Sequence, residues 1–235
     1  MGRKRNFLVF AMLLCLVACA KEAPPAQKQV EVVPTVAETA EKTDRKITVY
    51  KDATIDYLGD GYNFSWAQEY PPEMVMIHFC SAVVSNPEDP YDLQSVRQTF
   101  VKADVSIHYL IDREGNIYCY VPENRVAWHA GPGDWQGIEK YKNNMNRYSI
   151  GIELMAIGSY EDMSIYLTKE QYDALDPAWI GYTDAQYTAL EGLVADICQR
   201  YDIPMDRSHI IGHEEYASQK NDPGELFDWS RIIPN

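Results

Sequence analysis

The stretch "PEMVMIHFCS", residues 72–81, constrains the fold more than any other part of the chain. Met74 to Ile77 are apolar without a break, and Phe79 and Cys80 resume the run after a single histidine. An apolar run of this length after two prolines reads as a buried strand. Such a strand needs covered faces, and the rest of the sequence supplies the cover. "YSIGIELMAI" is a second strand, in which Ile150, Ile152 and Leu154 alternate with Gly151 and Glu153. Side chains alternate across a strand, so Glu153 points away from the apolar face. "VSIHYLIDREGNIYCYV" reads as a hairpin around "DREG".

Two helices fit between these strands. "DPYDLQSVRQTFVKA" carries Leu93, Val96, Phe100 and Val101 at helical spacing, with Asp92 as N-cap. In "TDAQYTALEGLVADICQRY", Thr183 and Gln186 form a capping box. Tyr187, Leu190, Val194, Ile197 and Tyr201 follow the helical period, and Pro204 ends the run. Interspersed strands and helices, one strand pair being a hairpin, imply a mixed α/β fold. Its centre is a mixed β-sheet flanked by helices, in one domain over residues 47–235. Residues 160–181 read as an insertion between the Glu153 strand and the long helix. They are expected to border a cleft, with Tyr160, Tyr166 and Trp179 as contact candidates.

The first 46 residues stand outside that fold. Arg3, Lys4 and Arg5 precede an apolar run from Phe7 to Val17, too short to span a bilayer and suited to a signal-peptide core. It ends in "LVAC", which resembles the lipobox of bacterial lipoproteins. The resemblance implies cleavage after residue 18 and acylation of Cys19. Residues 20–46 lack aromatics and any periodicity, and are dominated by Pro, Ala, Glu, Lys and Val. That composition reads as a flexible tether with a reach on the order of 80 Å. The protein is thus expected outside the cytoplasm, lipid-anchored to a bacterial membrane. Losing three of the 21 basic residues and none of the 35 acidic ones leaves a net charge of −17. So acidic a protein is a poor partner for nucleic acid. Beyond Cys19, three cysteines remain, Cys80, Cys119 and Cys198. An odd count argues against a disulfide framework.

Chemistry must come from the polar residues. "HIIGHEEYASQKNDPGELFDW", residues 209–229, gathers His213, Lys220 and Asp222 on a turn-rich segment. "HEEYA" lacks the second histidine of a zincin helix, and no Gly-x-Ser-x-Gly elbow or glycine-rich phosphate loop occurs. A cysteine–histidine hydrolase built on Cys80 is disfavoured, because that thiol ends an apolar strand rather than opening a helix. A metal site fits better. His78, His213 and Asp222 offer two imidazoles and a carboxylate, the donor types of catalytic zinc with one open position. Lys220 would then face a developing oxyanion, and Glu153 would be free as general base. Each histidine taken singly is more readily read as a structural hydrogen-bonding residue than as a ligand.

From residue 74 to 229 the sequence resembles the zinc-dependent N-acetylmuramoyl-L-alanine amidases of type 2, a fold shared with animal peptidoglycan recognition proteins. The matching stretches are "MVMIHFCS", "VSIHYLIDREGNIYCYVPENRVAWHAG", "NRYSIGIELMAIG", "YTDAQYTAL" and "IIGHEEYASQKNDPGELFDW". The resemblance implies one zinc ion on His78, His213 and Asp222, with Glu153 and Lys220 catalytic. It places His108 and His129 near the cleft, behind the ligands or as substrate contacts, with structural hydrogen bonding as the alternative, and it offers Trp128 as a substrate contact although packing is the readier reading. Ile107 stands where phage and animal members have a tyrosine, which leaves the base role to Glu153. The implied substrate is peptidoglycan or its muropeptides, cut between N-acetylmuramic acid and L-alanine by a monomer. The alternative is a peptidoglycan-binding protein of the same fold without catalysis. A glycosidase, with two carboxylates and no metal, is a third reading.

Overall fold

The apolar run at 72–81 lies between two parallel neighbours in a six-stranded sheet. This is a computed structural model, and it describes residues 49–59 and 64–233. All of these belong to one compact unit, Ala37–Asn235. The signal peptide, Cys19 and the tether expected over residues 1–46 lie outside the described residues. The chain runs through β1 (Thr54–Ile55), β2 (Ser65–Ala67), β3 (Met74–Cys80), α1 (Leu93–Ala103), β4 (Tyr109–Ile111) and β5 (Ile117–Cys119). It continues through β6 (Arg125–Ala127), β7 (Ser149–Met155), α2 (Tyr160–Met163), α3 (Lys169–Asp173), α4 (Asp184–Tyr201), β8 (Ile210–Gly212) and α5 (His213–Tyr216). Strand order in the main sheet is β1-β5-β4-β7-β3-β8, and β2 and β6 form a separate antiparallel pair. Only β4 and β5 run antiparallel in the main sheet, so it is mixed, as expected.

One face of the sheet is covered by α4. Val75, Ile77, Ile150, Ile152 and Leu154 meet Tyr187, Leu190, Leu193, Val194 and Ile197 there, all buried. Each such side chain contributes roughly 1.5–3 kcal/mol by leaving water. The helix is capped as its sequence requires. Thr183 Oγ1 accepts from Gln186 N, and Gln186 Oε1 accepts from Thr183 N. It ends at Tyr201, three residues before Pro204, because Asp202 turns left-handed at φ 57°. Buried Glu123 fastens the helix end to the sheet by accepting from Arg200 Nη2 and Tyr201 Oη, each at 2.7 Å.

The opposite face carries two apolar clusters rather than one. Val96 and Phe100 of α1 pack with Ile107, Leu110, Tyr120 and Met155. Met74 and Met76 pack with Met145, Ile211 and Tyr216. The polar residues of the sheet lie between these clusters. Strand register aligns Leu110, Glu153 and His78 across β4, β7 and β3, and Gly212 pairs with Ile77. His213 therefore follows β8 at the level of His78. Parallel strands sit about 4.8 Å apart, so Glu153 and His78 are immediate neighbours on one face.

Candidate metal centre

Three donor atoms converge at the carboxyl ends of β3 and β8. His78 Nδ1 lies 3.0 Å from His213 Nδ1 and 2.8 Å from Asp222 Oδ2. His213 Nδ1 lies 3.0 Å from the same oxygen. Both imidazoles are buried, while Asp222 keeps some exposure, so the triangle opens towards solvent on the carboxylate side. Local structure sets each corner. His78 inherits its direction from strand alternation. His213 is the first residue of α5, aimed by the turn that leaves β8. Asp222 is held by its own backbone, whose carbonyl accepts from Glu214 N at 3.0 Å, and by Tyr182 Oη, which donates to the next carbonyl, Pro223 O, at 2.6 Å.

The chemistry of the donor set fits a divalent cation. His213 Nε2 meets the carbonyl of Ala130 at 2.9 Å, and a carbonyl only accepts, so Nε2 carries a proton and a neutral ring has none on Nδ1. His213 Nδ1 is then a lone pair pointed at a carboxylate and at a second imidazole nitrogen. Burial pushes the His78 pKa down to about 4, and the neighbouring His213 pushes the same way, against the pull of Asp222. Burial raises the Asp222 pKa, but the two histidines outweigh it and hold the carboxyl well below its usual range. A neutral His78 ring beside an ionised Asp222 carboxylate is the pairing of protonation states that metal binding requires.

Glu153 stands next to this triangle. Its Oε2 is buried and, among the described residues, has no hydrogen-bond partner. Burial and then the charge of Asp222 raise its pKa well above the ordinary value, opposed by the Cys80 thiol and by Lys220. Lys220 is half-buried on the loop between α5 and Asp222, near enough to act on both Glu153 and His78. The five residues expected to form the site thus share one region of one face.

The other expected residues stand differently. His108 is completely buried, and both of its nitrogens serve the backbone. Nδ1 accepts from Gly151 N and Nε2 donates to Arg125 O, each at 3.0 Å. Nothing remains on it for a substrate, so the expected contact role gives way to a structural one. His129 is half-buried, and both of its ring nitrogens have partners. Its Nδ1 lies 3.0 Å from His78 Nε2 and its Nε2 lies 3.3 Å from Ser149 Oγ. Trp128 is half-buried and packs on Phe64 and Trp66, with ring centroids at 6.2 and 5.7 Å. Cys80, Cys119 and Cys198 are free thiols.

The insertion at 160–181 is folded rather than looped, with two capping boxes opening α2 and α3. Asn221 Nδ2 donates to Asp162 O at 3.1 Å, which joins it to the loop bearing Lys220 and Asp222. Met163 and Leu167 bury themselves against Val83 and Ile157, with Phe79 and Trp179 at the edge. Trp179 is thus packing, and Tyr160 leans on Tyr172 at 5.5 Å. Only Tyr166 of the three aromatics combines exposure, at 44%, with an electrostatic influence from Asp222 and Glu153. Sequence reasoning missed Ser149 and Asn146, both inside a quoted stretch. Asn146 Oδ1 accepts from the backbone of His129 and Ala130 at 2.9 and 2.7 Å.

A triangle of two imidazoles and one carboxylate, open on one side and set at the ends of parallel strands, defines an α/β protein with donors that could hold a metal ion. The sequence profile of the family described as N-acetylmuramoyl-L-alanine amidase matches residues 68–225, and the chain belongs to that family. It is 39% identical to the 1,6-anhydro-N-acetylmuramyl-L-alanine amidase AmpD of Citrobacter freundii over 129 residues, 54% of this chain and 55% of that protein. It is 32% identical to the N-acetylmuramoyl-L-alanine amidase AmiD of Escherichia coli over 149 residues, 60% of this chain and 48% of that one. The chain spans about half the length of these curated relatives. Among solved structures, a selenomethionine derivative of AmpD superposes with a TM-score of 0.55 at 26% identity, covering 78% of this chain and 94% of that one. AmiD of Escherichia coli in complex with anhydro-N-acetylmuramic acid-L-Ala-D-γ-Glu-L-Lys gives 0.51 at 30% identity, covering 71% and 58%.

Proposed function

We propose that this chain is a zinc-dependent N-acetylmuramoyl-L-alanine amidase that cuts the amide between N-acetylmuramic acid and the L-alanine of a stem peptide. The observation that carries the reading is the triangle of His78 Nδ1, His213 Nδ1 and Asp222 Oδ2 with an unpartnered Glu153 oxygen beside it. The family and the AmiD complex with an anhydro-muropeptide support the substrate class. A zinc ion held there would supply Lewis acidity, polarising the scissile carbonyl and lowering the pKa of the attacking water. Glu153 takes the proton of that water and returns it to the leaving amine. Lys220 faces the oxygen on which charge develops. A chelator should abolish hydrolysis and added zinc should restore it; hydrolysis that survives complete metal removal would overturn the assignment.

Lys220→Ala is expected to keep its metal and lose about 10²–10³-fold in kcat, the scale of one oxyanion-stabilising group. Steady-state kinetics with parallel metal analysis checks this. Tyr166 is proposed to line the substrate cleft. Tyr166→Ala should raise KM for an anhydro-muropeptide about fivefold, corresponding to roughly 1 kcal/mol for one aromatic contact, at unchanged metal content. An unchanged KM would return the insertion to a purely structural role.

The N-terminal region is proposed to anchor the enzyme through acylated Cys19, with residues 20–46 as the tether. Among the described residues no helix is long and apolar enough to cross a membrane. Cys19→Ser should release the protein from the membrane fraction and block lipid labelling. Unchanged membrane retention would refute the anchor.

A further inference from the structure

We infer that Ser149 and His129 form a proton-ordered relay that fixes the tautomer of His78 and turns its Nδ1 to the metal centre as a bare lone pair. The inference rests on the proposed metal site and concerns how the chain prepares it. The order follows from the far end. Ser149, the first residue of β7, is completely buried, and its hydroxyl donates to Met145 O at 2.8 Å. A hydroxyl has one proton, so Oγ can only accept from His129 Nε2, 3.3 Å away. His129 in its neutral form carries a single ring proton, which this contact places on Nε2. Its Nδ1 must then accept, and the group facing it at 3.0 Å is His78 Nε2. His78 therefore donates through Nε2, and its Nδ1 is unprotonated.

Without the relay the balance would tip the other way. Asp222 Oδ2 lies 2.8 Å from His78 Nδ1 and attracts a proton onto that nitrogen. A proton there would occupy the position of the metal. His213 avoids this by donating to a carbonyl directly. His78 reaches its carbonyl only through two side chains, and the chain makes room for them. The His129 ring lies against Gly151, where a Cβ would fall 2.6 Å from its Cγ and 2.5 Å from Ile107 Cδ1. The backbone N–H groups of His129 and Ala130 converge on Asn146 Oδ1 and hold the ring in place. His129 and Ser149 are thus positioning residues, one and two steps behind a ligand.

Ser149→Ala removes the acceptor that orders His129 and little volume. Outer hydrogen bonds to ligating histidines are worth about 10–100-fold in metal affinity, so competition titration should show zinc binding weakened by that factor. Ser149→Thr, which keeps the hydroxyl, should recover it. Imidazole ¹⁵N NMR of the metal-free protein supplies a readout independent of zinc. Wild type should show His78 protonated on Nε2, and Ser149→Ala a shift towards the Nδ1–H form. Wild-type zinc affinity and an unshifted His78 tautomer in Ser149→Ala would overturn the relay. A wild type that binds no zinc would contradict the metal reading alone, and the metal-free NMR comparison would still decide the relay.

Discussion

His213→Ala is expected to bind no zinc and to show no measurable amide hydrolysis. Two remaining donors cannot hold a four-coordinate ion, and the loss removes the Lewis acid as well as a ligand. The substitution also frees the carbonyl of Ala130, so some stability goes with the metal. Metal analysis after reconstitution separates the two effects. A folded His213→Ala protein, verified by circular dichroism, that retains one zinc per chain would place the ion elsewhere. The same measurement on Asp222→Ala gives an independent corner of the triangle.

Glu153→Gln is expected to bind zinc like wild type and to turn over about 10²–10⁴-fold more slowly, the usual share of general acid–base catalysis. The two effects part company because Glu153 stands beside the donor triangle without being a corner of it. Folding should not suffer, since Oε2 has no partner to lose and burial already disfavours its charge. Single-turnover kinetics with matched metal loading checks this. Wild-type rates in Glu153→Gln would require another base.

The sheet and its main helix were legible because their signals are local. β3 announces itself by an apolar run, β7 by alternation, and α4 by a capping box followed by a helical period. The polar row on the sheet was half legible. Alternation along β7 put Glu153 opposite the core, but nothing local says that it pairs in register with His78. The strands β1, β2 and β6 are two or three residues long and owe their existence to partners far away in sequence. No periodicity can reveal them.

The candidate ligands were legible by residue type and by resemblance, whereas the roles of their neighbours were not. His108, His129 and Trp128 lie in one matching stretch, and sequence placed the two histidines near the cleft without separating their roles. Structure separates them by which atoms their rings meet. His108 serves backbone groups, His129 backs a ligand 51 residues away, and Trp128 packs on other aromatics. Ser149 looked like the start of a strand because a hydroxyl's meaning depends on the carbonyl it faces. The insertion offered three aromatics in sequence, and which of them turns outward is settled by the packing of Met163 and Leu167 beneath it.

Mass spectrometry of products from a defined anhydro-muropeptide, incubated with the zinc-loaded protein, tests the central claim most directly. The account predicts two products: the anhydro-N-acetylmuramic acid moiety with a free lactyl carboxylate, and a stem peptide with a free L-alanine amine. An intact muropeptide after incubation with fully metal-loaded protein would mark a binding protein of the same fold. Cleavage at a glycosidic bond, or between residues of the stem, would contradict the assignment of the scissile amide.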